Sequence, residues 1–327
     1  MLSRSLPSAA LRLGSRSVIT PLSSQRRELG GLPTPLQPLF QYASECNITV
    51  AIQAAMEAAH SSGLSWGVTV VATGITLRLL TAPAHIMAER IFAKRLHATN
   101  WFSQKILEKL AKKYKVGVGP NPTNTALELR TDNLEIQQNV TKILIPSVQI
   151  ALRDQGLQAS RIQSLKMVSV PVWMFSSFAL RNIISGDFHP SIPGALWVPD
   201  LLVPDPYFII PLTVGAFGFL NLWSQRKIYP ALSGAPTRTK VYDAGLIFFT
   251  TLATYIMIHM PACIPLYWLT VSVTGFAQAQ LLRHPGVKKV LGINRLPTDS
   301  RTPIRDLFLT RAQGPLGTPT AILPKAK

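Results

Sequence analysis

Five apolar stretches divide the chain, at residues 64–82, 167–184, 207–222, 244–260 and 262–282. Each holds about 16–21 residues, against about 20 needed to cross a 30 Å hydrocarbon core at 1.5 Å per residue. The pattern predicts five transmembrane helices, the third and fourth of them short. Pro83 is expected to stop the first helix, and Pro261 and Pro265 leave room only for a tight turn between the last two. Residues 84–165 differ in character. Ile91, Leu107, Leu110 and Tyr114 recur among Lys and Arg, predicting a basic helix over 84–115. Pro120 and Pro122 predict a turn, because the residue before a proline is pushed out of the helical region. Residues 124–155 then predict a second helix, kinked at Pro146, so the expected object is a two-helix hairpin projecting from the membrane. Ahead of the first span, Ile48, Ile52, Ala55, Met56 and Ala59 share one helical face. That fits a helix lying on the membrane surface or one packed on the rest of the protein. The fold class expected is an all-α membrane protein, with a core at 64–282, a preceding segment at 31–63 and a tail at 283–327.

Composition supports a membrane body. Of 327 residues 47% are hydrophobic and 15% charged, where a soluble domain carries about 25% charged residues. The net charge of +18 would point to nucleic acid on a soluble protein, but its distribution gives another reason. Thirteen of the 33 Lys and Arg lie between Pro83 and Met167, four between Leu222 and Val241, and nine after Leu282. Residues 28–63 and 185–206 have none. Positive charge thus alternates with the spans, as orientation in a membrane requires. The first 30 residues carry Arg4, Arg12, Arg16, Arg26 and Arg27, many serines and no acid before Glu28. That is the pattern of a mitochondrial transit peptide. The positive side is then the matrix, with the N-terminus in the intermembrane space and the C-terminus in the matrix. Residues 30–38, rich in proline, predict an extended linker.

Candidate chemistry is sparse. The two cysteines, Cys46 and Cys263, and six scattered histidines form no metal-ligand spacing, and no phosphate-binding glycine loop or paired carboxylate occurs. The sequence therefore predicts no enzyme, metal or cofactor. Arg78 stands out inside the first span. A charge at a bilayer centre costs about 2.5–3.5 kcal/mol, so such residues face a bundle interior or a wet cavity, or else snorkel to the interface. No acidic residue lies in any span to pair with it. Ser169, Ser176 and Ser177 in the second span, Asn221 ending the third, and Ser272, Thr274 and Gln278 in the fifth are ordinary interhelical contacts singly. Together with Arg78 they form the candidate polar face.

From about Trp66 to Gly286 the chain resembles the YidC/Oxa/Alb membrane-protein insertases. The stretch GALWVPDLLVPDPYFIIPLTVG (194–215) is similar to the family's run ahead of its third core span, through Trp197, Asp200, Asp205 and Pro206. PLYWLTVSVTGFAQ (265–278) is similar to the last span's run, through Pro265, Tyr267 and Trp268 with Gln278 downstream. Arg78 falls where members place the groove arginine, and the hairpin where they have a coiled-coil insertion. One position departs: where many members have Gln ahead of Pro171, this chain has Ser169. PVWMFSSFALRN (171–182) and LLRHPG (281–286) resemble the cytochrome c oxidase assembly branch.

The resemblance implies a client-binding groove of Arg78, Ser169, Ser176, Ser272, Gln278 and Trp268. It implies export of the C-terminal tail of cytochrome c oxidase subunit 2 to the intermembrane space, alongside other oxidase assembly factors. About 45 residues follow the last span, rich in Pro and Gly, which points away from a stable ribosome tether. The rival readings are a scaffold that holds clients without moving them, and a solute carrier, which would show inverted repeats that this sequence lacks.

Overall fold

The computed structural model describes residues 37–120, 127–131, 133–186, 191–228, 236–296 and 299–309. The transit-peptide region, most of the proline-rich linker, the Asn121–Pro122 turn and the last 18 residues lie outside the described residues. The chain divides into two units at Tyr42. In the first, the described residues belong to the opening turns of helix α1, Gln37–Glu45.

The second unit begins with α2, Asn47–Ser61, and α3, Trp66–Tyr114. Strands β1, Gly117–Pro120, and β2, Leu127–Arg130, pair antiparallel. Helices α4, Leu134–Asp154, α5, Ala159–Met167, and α6, Ser169–Ile184, follow. A second hairpin, β3, Pro193–Ala195, with β4, Val198–Asp200, precedes α7, Ile209–Ile228, α8, Pro236–Ile258, and α9, Cys263–Leu281. Short helices α10, Pro285–Val290, and α11, Pro303–Phe308, close the described chain. The protein is a helical membrane protein. Among the described residues, α3, the run Ala159–Ile184 and the Lys240–Ile258 part of α8 are long and apolar enough to cross a bilayer. The other two apolar stretches lie within α7 and α9, of 20 and 19 residues.

Two local expectations are corrected. Pro83 does not end the first helix but lies inside the 49-residue α3. A proline weakens a helix through one lost hydrogen bond and a clash, and packing on both sides can override it. Here α3 packs against α9, α5 and α4. Residues 127–130 are not helical, and the second long helix of the hairpin starts only at Leu134. Leu127 and Leu129 instead alternate toward a small core with Leu107, Leu110, Ala111 and Val140, while Asn133 caps α4 by accepting from Glu135 N at 2.9 Å. The alternation is only two leucines long, too brief to compete with the helical pattern around it. Within 84–165 the described residues thus hold the distal part of α3, the paired strands β1 and β2, then α4 and most of α5.

The main core joins Met56 of α2, Trp66 and Val70 of α3, Leu180 and Ile183 of α6, Val214 of α7, Met257 of α8 and Tyr267 of α9. Helix α2 lies on α6, with Thr49 and Met56 buried and Asn182 Nδ2 donating to the Ser44 carbonyl at 2.9 Å. Segment 285–309, expected as the start of a plain tail, is tied to α3. Lys288 Nζ, 1% exposed, sits 2.7 Å from Asp299 Oδ1 and 3.4 Å from Glu89 Oε1. Arg90 Nη2 donates to the Leu291 carbonyl at 2.6 Å. Removing one member of a buried ion cluster leaves the others as uncompensated charge, at about 3–5 kcal/mol. Lys288→Met is expected to lower stability by about that amount, read as a clear fall in melting temperature in detergent; an unchanged melting temperature would show that the cluster does not hold the segment.

Candidate functional site

Helices α3, α6 and α9 border a small, partly open recess whose free volume is about 20 Å³, room for about one water. It is lined by Gly74, Leu77, Arg78 and Thr81 of α3, by Ser169, Val172 and Trp173 of α6, and by Tyr267 and Val271 of α9. The sequence builds this space with two glycines on opposing helices. A Cβ on Gly74 would sit 2.9 Å from Thr270 Cγ2, so α3 and α9 approach closely there. Four residues along α3, Arg78 takes the space that a side chain at Gly275 would claim, since a Cβ there would lie 3.2 Å from Nη2. Small residues that let backbones meet are the usual device of helix pairs in lipid. Here one glycine admits a backbone and the other a guanidinium.

The Arg78 guanidinium makes no hydrogen bond or ion pair among the described residues, and its Nε is buried. A buried donor left unmatched costs about 1–3 kcal/mol, so the site favours an oxygen acceptor brought from outside the protein. Among the described residues, both polar atoms of the Gln278 side chain, which lies outside the recess lining, and His85 Nε2 are likewise buried without a partner. Residues 78, 81/82 and 85 follow at helical spacing, so the polar stripe on α3 continues past Pro83. Thr81 Oγ1 is already engaged, donating to the Leu77 and Arg78 carbonyls at 3.0 and 3.1 Å.

The structure brings Arg78 and Ser169 together in the recess, with Tyr267 in its wall. Ser176 is fully buried, donates to the Val172 carbonyl at 2.6 Å and meets the Tyr267 hydroxyl, so it braces the wall. Trp268 is outside the lining. Its Nε1 donates to Ser177 Oγ at 3.1 Å and its ring packs 4.9 Å from Trp173, tying α9 to α6. Ser272 is also outside the lining, and its carbonyl accepts from Asn221 Nδ2 at 2.9 Å, joining α9 to α7. Pro171 and Pro265 fall in the first turns of α6 and α9, where the missing N–H costs little. The sequence did not single out Gly74, Leu77, Thr81, Val172, Trp173, Gly275 or His85. The stripe through Arg78, Thr81 and His85 was the readable signal.

The two aspartates of the 194–215 stretch are internal braces. Asp200 Oδ1 accepts from Ile192 N and Leu202 N at 3.0 and 2.9 Å. Asp205, 1% exposed, accepts from Trp197 Nε1, Tyr207 N and Ile210 N, so it caps α7 and fixes the loop to it. Pro206 lies exposed directly after it.

No protein-family model matches the chain. Human cytochrome c oxidase assembly protein COX18, mitochondrial, is 26% identical over 282 residues, spanning 81% of this chain and 79% of that protein. The membrane protein insertase YidC of Aeromonas hydrophila is 30% identical over 125 residues, 38% of this chain and 21% of that protein. The mitochondrial inner membrane protein oxa1-1 of Schizosaccharomyces pombe is 24% identical over 238 residues, 72% of this chain and 58% of that protein.

The close approach at Gly74 yields a direct check. Gly74→Ala overpacks the seam and is expected to destabilise by about 1–3 kcal/mol. Adding Thr270→Ser removes the Cγ2 atom it strikes and should restore most of the loss in thermal unfolding. Failure of that rescue would mean that the α3–α9 contact is not as described.

Proposed function

The chain belongs to the YidC/Oxa/Alb family of membrane-protein insertases, on the branch of COX18, and from that premise we propose that it inserts membrane proteins during assembly of cytochrome c oxidase in the mitochondrial inner membrane. The client we propose is the C-terminal tail of cytochrome c oxidase subunit 2. It would pass from matrix to intermembrane space with the help of other oxidase assembly factors. Five spans carry the reading: α3, the α5–α6 run, α7, α8 and α9. Alternation of the cationic segments around them supports an N-terminus in the intermembrane space and a matrix side that holds the 84–165 hairpin, the α7–α8 connection and the C-terminal segment.

The observation that carries the mechanism is the unmatched guanidinium of Arg78 in the recess between α3, α6 and α9. A polar or acidic stretch entering from the matrix meets a fixed cation, which strengthens hydrogen bonds to it. Ser169 offers a further hydrogen bond to backbone that would otherwise be unsatisfied in lipid. The client's apolar segment then leaves sideways into the bilayer. The chain acts as a conduit that lowers a barrier, and the driving force comes from client folding, the membrane potential or partner proteins.

Replacing Arg78 by Ala is expected to cut tail export about tenfold or more, and by Lys less, because Lys keeps the charge without the planar fork. The readout is protease accessibility of the exported tail in mitoplasts. Normal export in both variants would remove Arg78 from the mechanism. The rival scaffold reading is separated by the same assay in cells lacking the protein. A scaffold's loss leaves the tail exported and only the oxidase unassembled, whereas an insertase's loss leaves the tail in the matrix.

A further inference from the structure

Residues 191–208 form the part of the α6–α7 connection that leads into α7, on the side opposite the cationic segments, and their chemistry is unlike that of those segments. Between residues 191 and 222 the charged residues are Asp200 and Asp205 alone. Both carboxylates are turned inward onto backbone N–H groups of the same loop and of α7. Among the described residues no cation pairs with either; Asp205 is buried and Asp200 half-buried, so little side-chain charge faces outward from this region.

What the region shows outward is apolar. Leu196 is 91% exposed, and Val203, Tyr207, Phe208, Ile209 and Leu212 are all exposed too. Leu196 is the first of two residues turning β3 into β4 and has φ 59°, a position such turns favour for glycine. Phe208, at the entry to α7, has φ 57°. Bulky apolar residues at left-handed positions are genuine outliers. The glycine of this hairpin sits instead at Gly194, where a Cβ would strike the Val198 carbonyl. In water, an exposed leucine at a strained turn tip has nothing to recommend it over Asn or Gly.

The loop is also held rigidly. Ala262 N and Cys263 N donate to the Val203 and Leu201 carbonyls at 3.0 and 3.1 Å, Leu201 N donates to the Ile192 carbonyl, and Val198 and Leu201 are buried in the main core. The exposed side chains are therefore presented by a fixed frame. They run directly into the exposed apolar positions Ile209 and Leu212 of α7.

We infer that loop 191–208 is a membrane anchor whose Leu196 tip, with Tyr207 and Phe208, seats in the boundary between headgroups and acyl chains of the leaflet opposite the cationic segments. This rests on the five-span reading, which puts the start of α7 at that boundary. The partner is the lipid itself: the side chains at 196, 203, 207 and 208 are exposed and apolar, and the carboxylates of Asp200 and Asp205 are engaged by the loop's own N–H groups. Aromatic and aliphatic side chains at that depth hold a helix end at fixed height. The anchor thus sets the level of α7, and through the backbone bonds to Ala262 and Cys263 the level of α9, which forms one wall of the Arg78 recess.

The test is electron paramagnetic resonance on the full chain in phosphatidylcholine vesicles, with a nitroxide on Leu196→Cys in a Cys46→Ser background. Cys263 is buried and is controlled for by the background protein alone. A second label at Phe248→Cys, exposed on α8, reports on a span, and a third at Lys113→Cys reports on water. Accessibility to oxygen, which concentrates in lipid, is compared with accessibility to a water-soluble nickel chelate. The expected result is oxygen exceeding nickel severalfold at 196, as at 248, and the reverse at 113. Nickel dominance at 196 with oxygen dominance at 248 overturns the anchor alone. Low accessibility to both reagents at 196 means a protein covers the loop, and also overturns it. Nickel dominance at 248 overturns the span reading and the anchor with it.

Discussion

An arginine without a carboxylate partner, set into the seam between α3, α6 and α9, is the constraint to which the rest of this structure answers. Its side chain fits because Gly275 has none, and α9 comes near enough to wall it because Gly74 has none. Its Nε is screened from the outside yet unmatched among the described residues. Such an arrangement is costly unless an acceptor arrives from elsewhere. An unmatched guanidinium of this kind differs from a structural ion pair. The protein contains the contrasting case, in the buried Lys288–Asp299–Glu89 cluster.

That contrast gives the two ends of α3 different work. Toward its end, Arg95 donates to the Leu157 carbonyl, and Leu107 and Leu110 bury against β2 and α4. Around Glu89 and Arg90 the C-terminal segment is fastened by charge and by backbone bonds. Near Arg78 the fastening gives way to a recess. A helix of 49 residues running unbroken through Pro83 links these regions, so the position of the recess is tied to the packing of the distal half.

The helices were legible in the sequence because lipid demands long apolar runs, and Arg78 was legible because a charge inside such a run stands out. What stayed hidden is non-local. Nothing near Lys288 in sequence announces that Glu89 will face it, and nothing near Gly74 or Gly275 says which helix each glycine admits. Pro83 misled because its local penalty is real but smaller than the packing on either side. The β1–β2 hairpin was missed because two alternating leucines are too short a signal. Trp268 enters the candidate groove through the resemblance and Ser272 through its polarity, yet the Trp268 indole donates to Ser177, the Ser272 carbonyl accepts from Asn221, and neither residue lines the recess. Polarity in a span marks an interhelical bond as readily as a wall.

The most direct measurement is photocrosslinking from within the recess in mitochondria making new protein. A photoreactive residue at Val172, in the lining, is compared with one at Phe249, exposed on α8. Adducts with newly made membrane proteins from position 172, and few from 249, are what the account predicts. Equal adducts from both positions, or none from 172 while 249 captures clients, would contradict it.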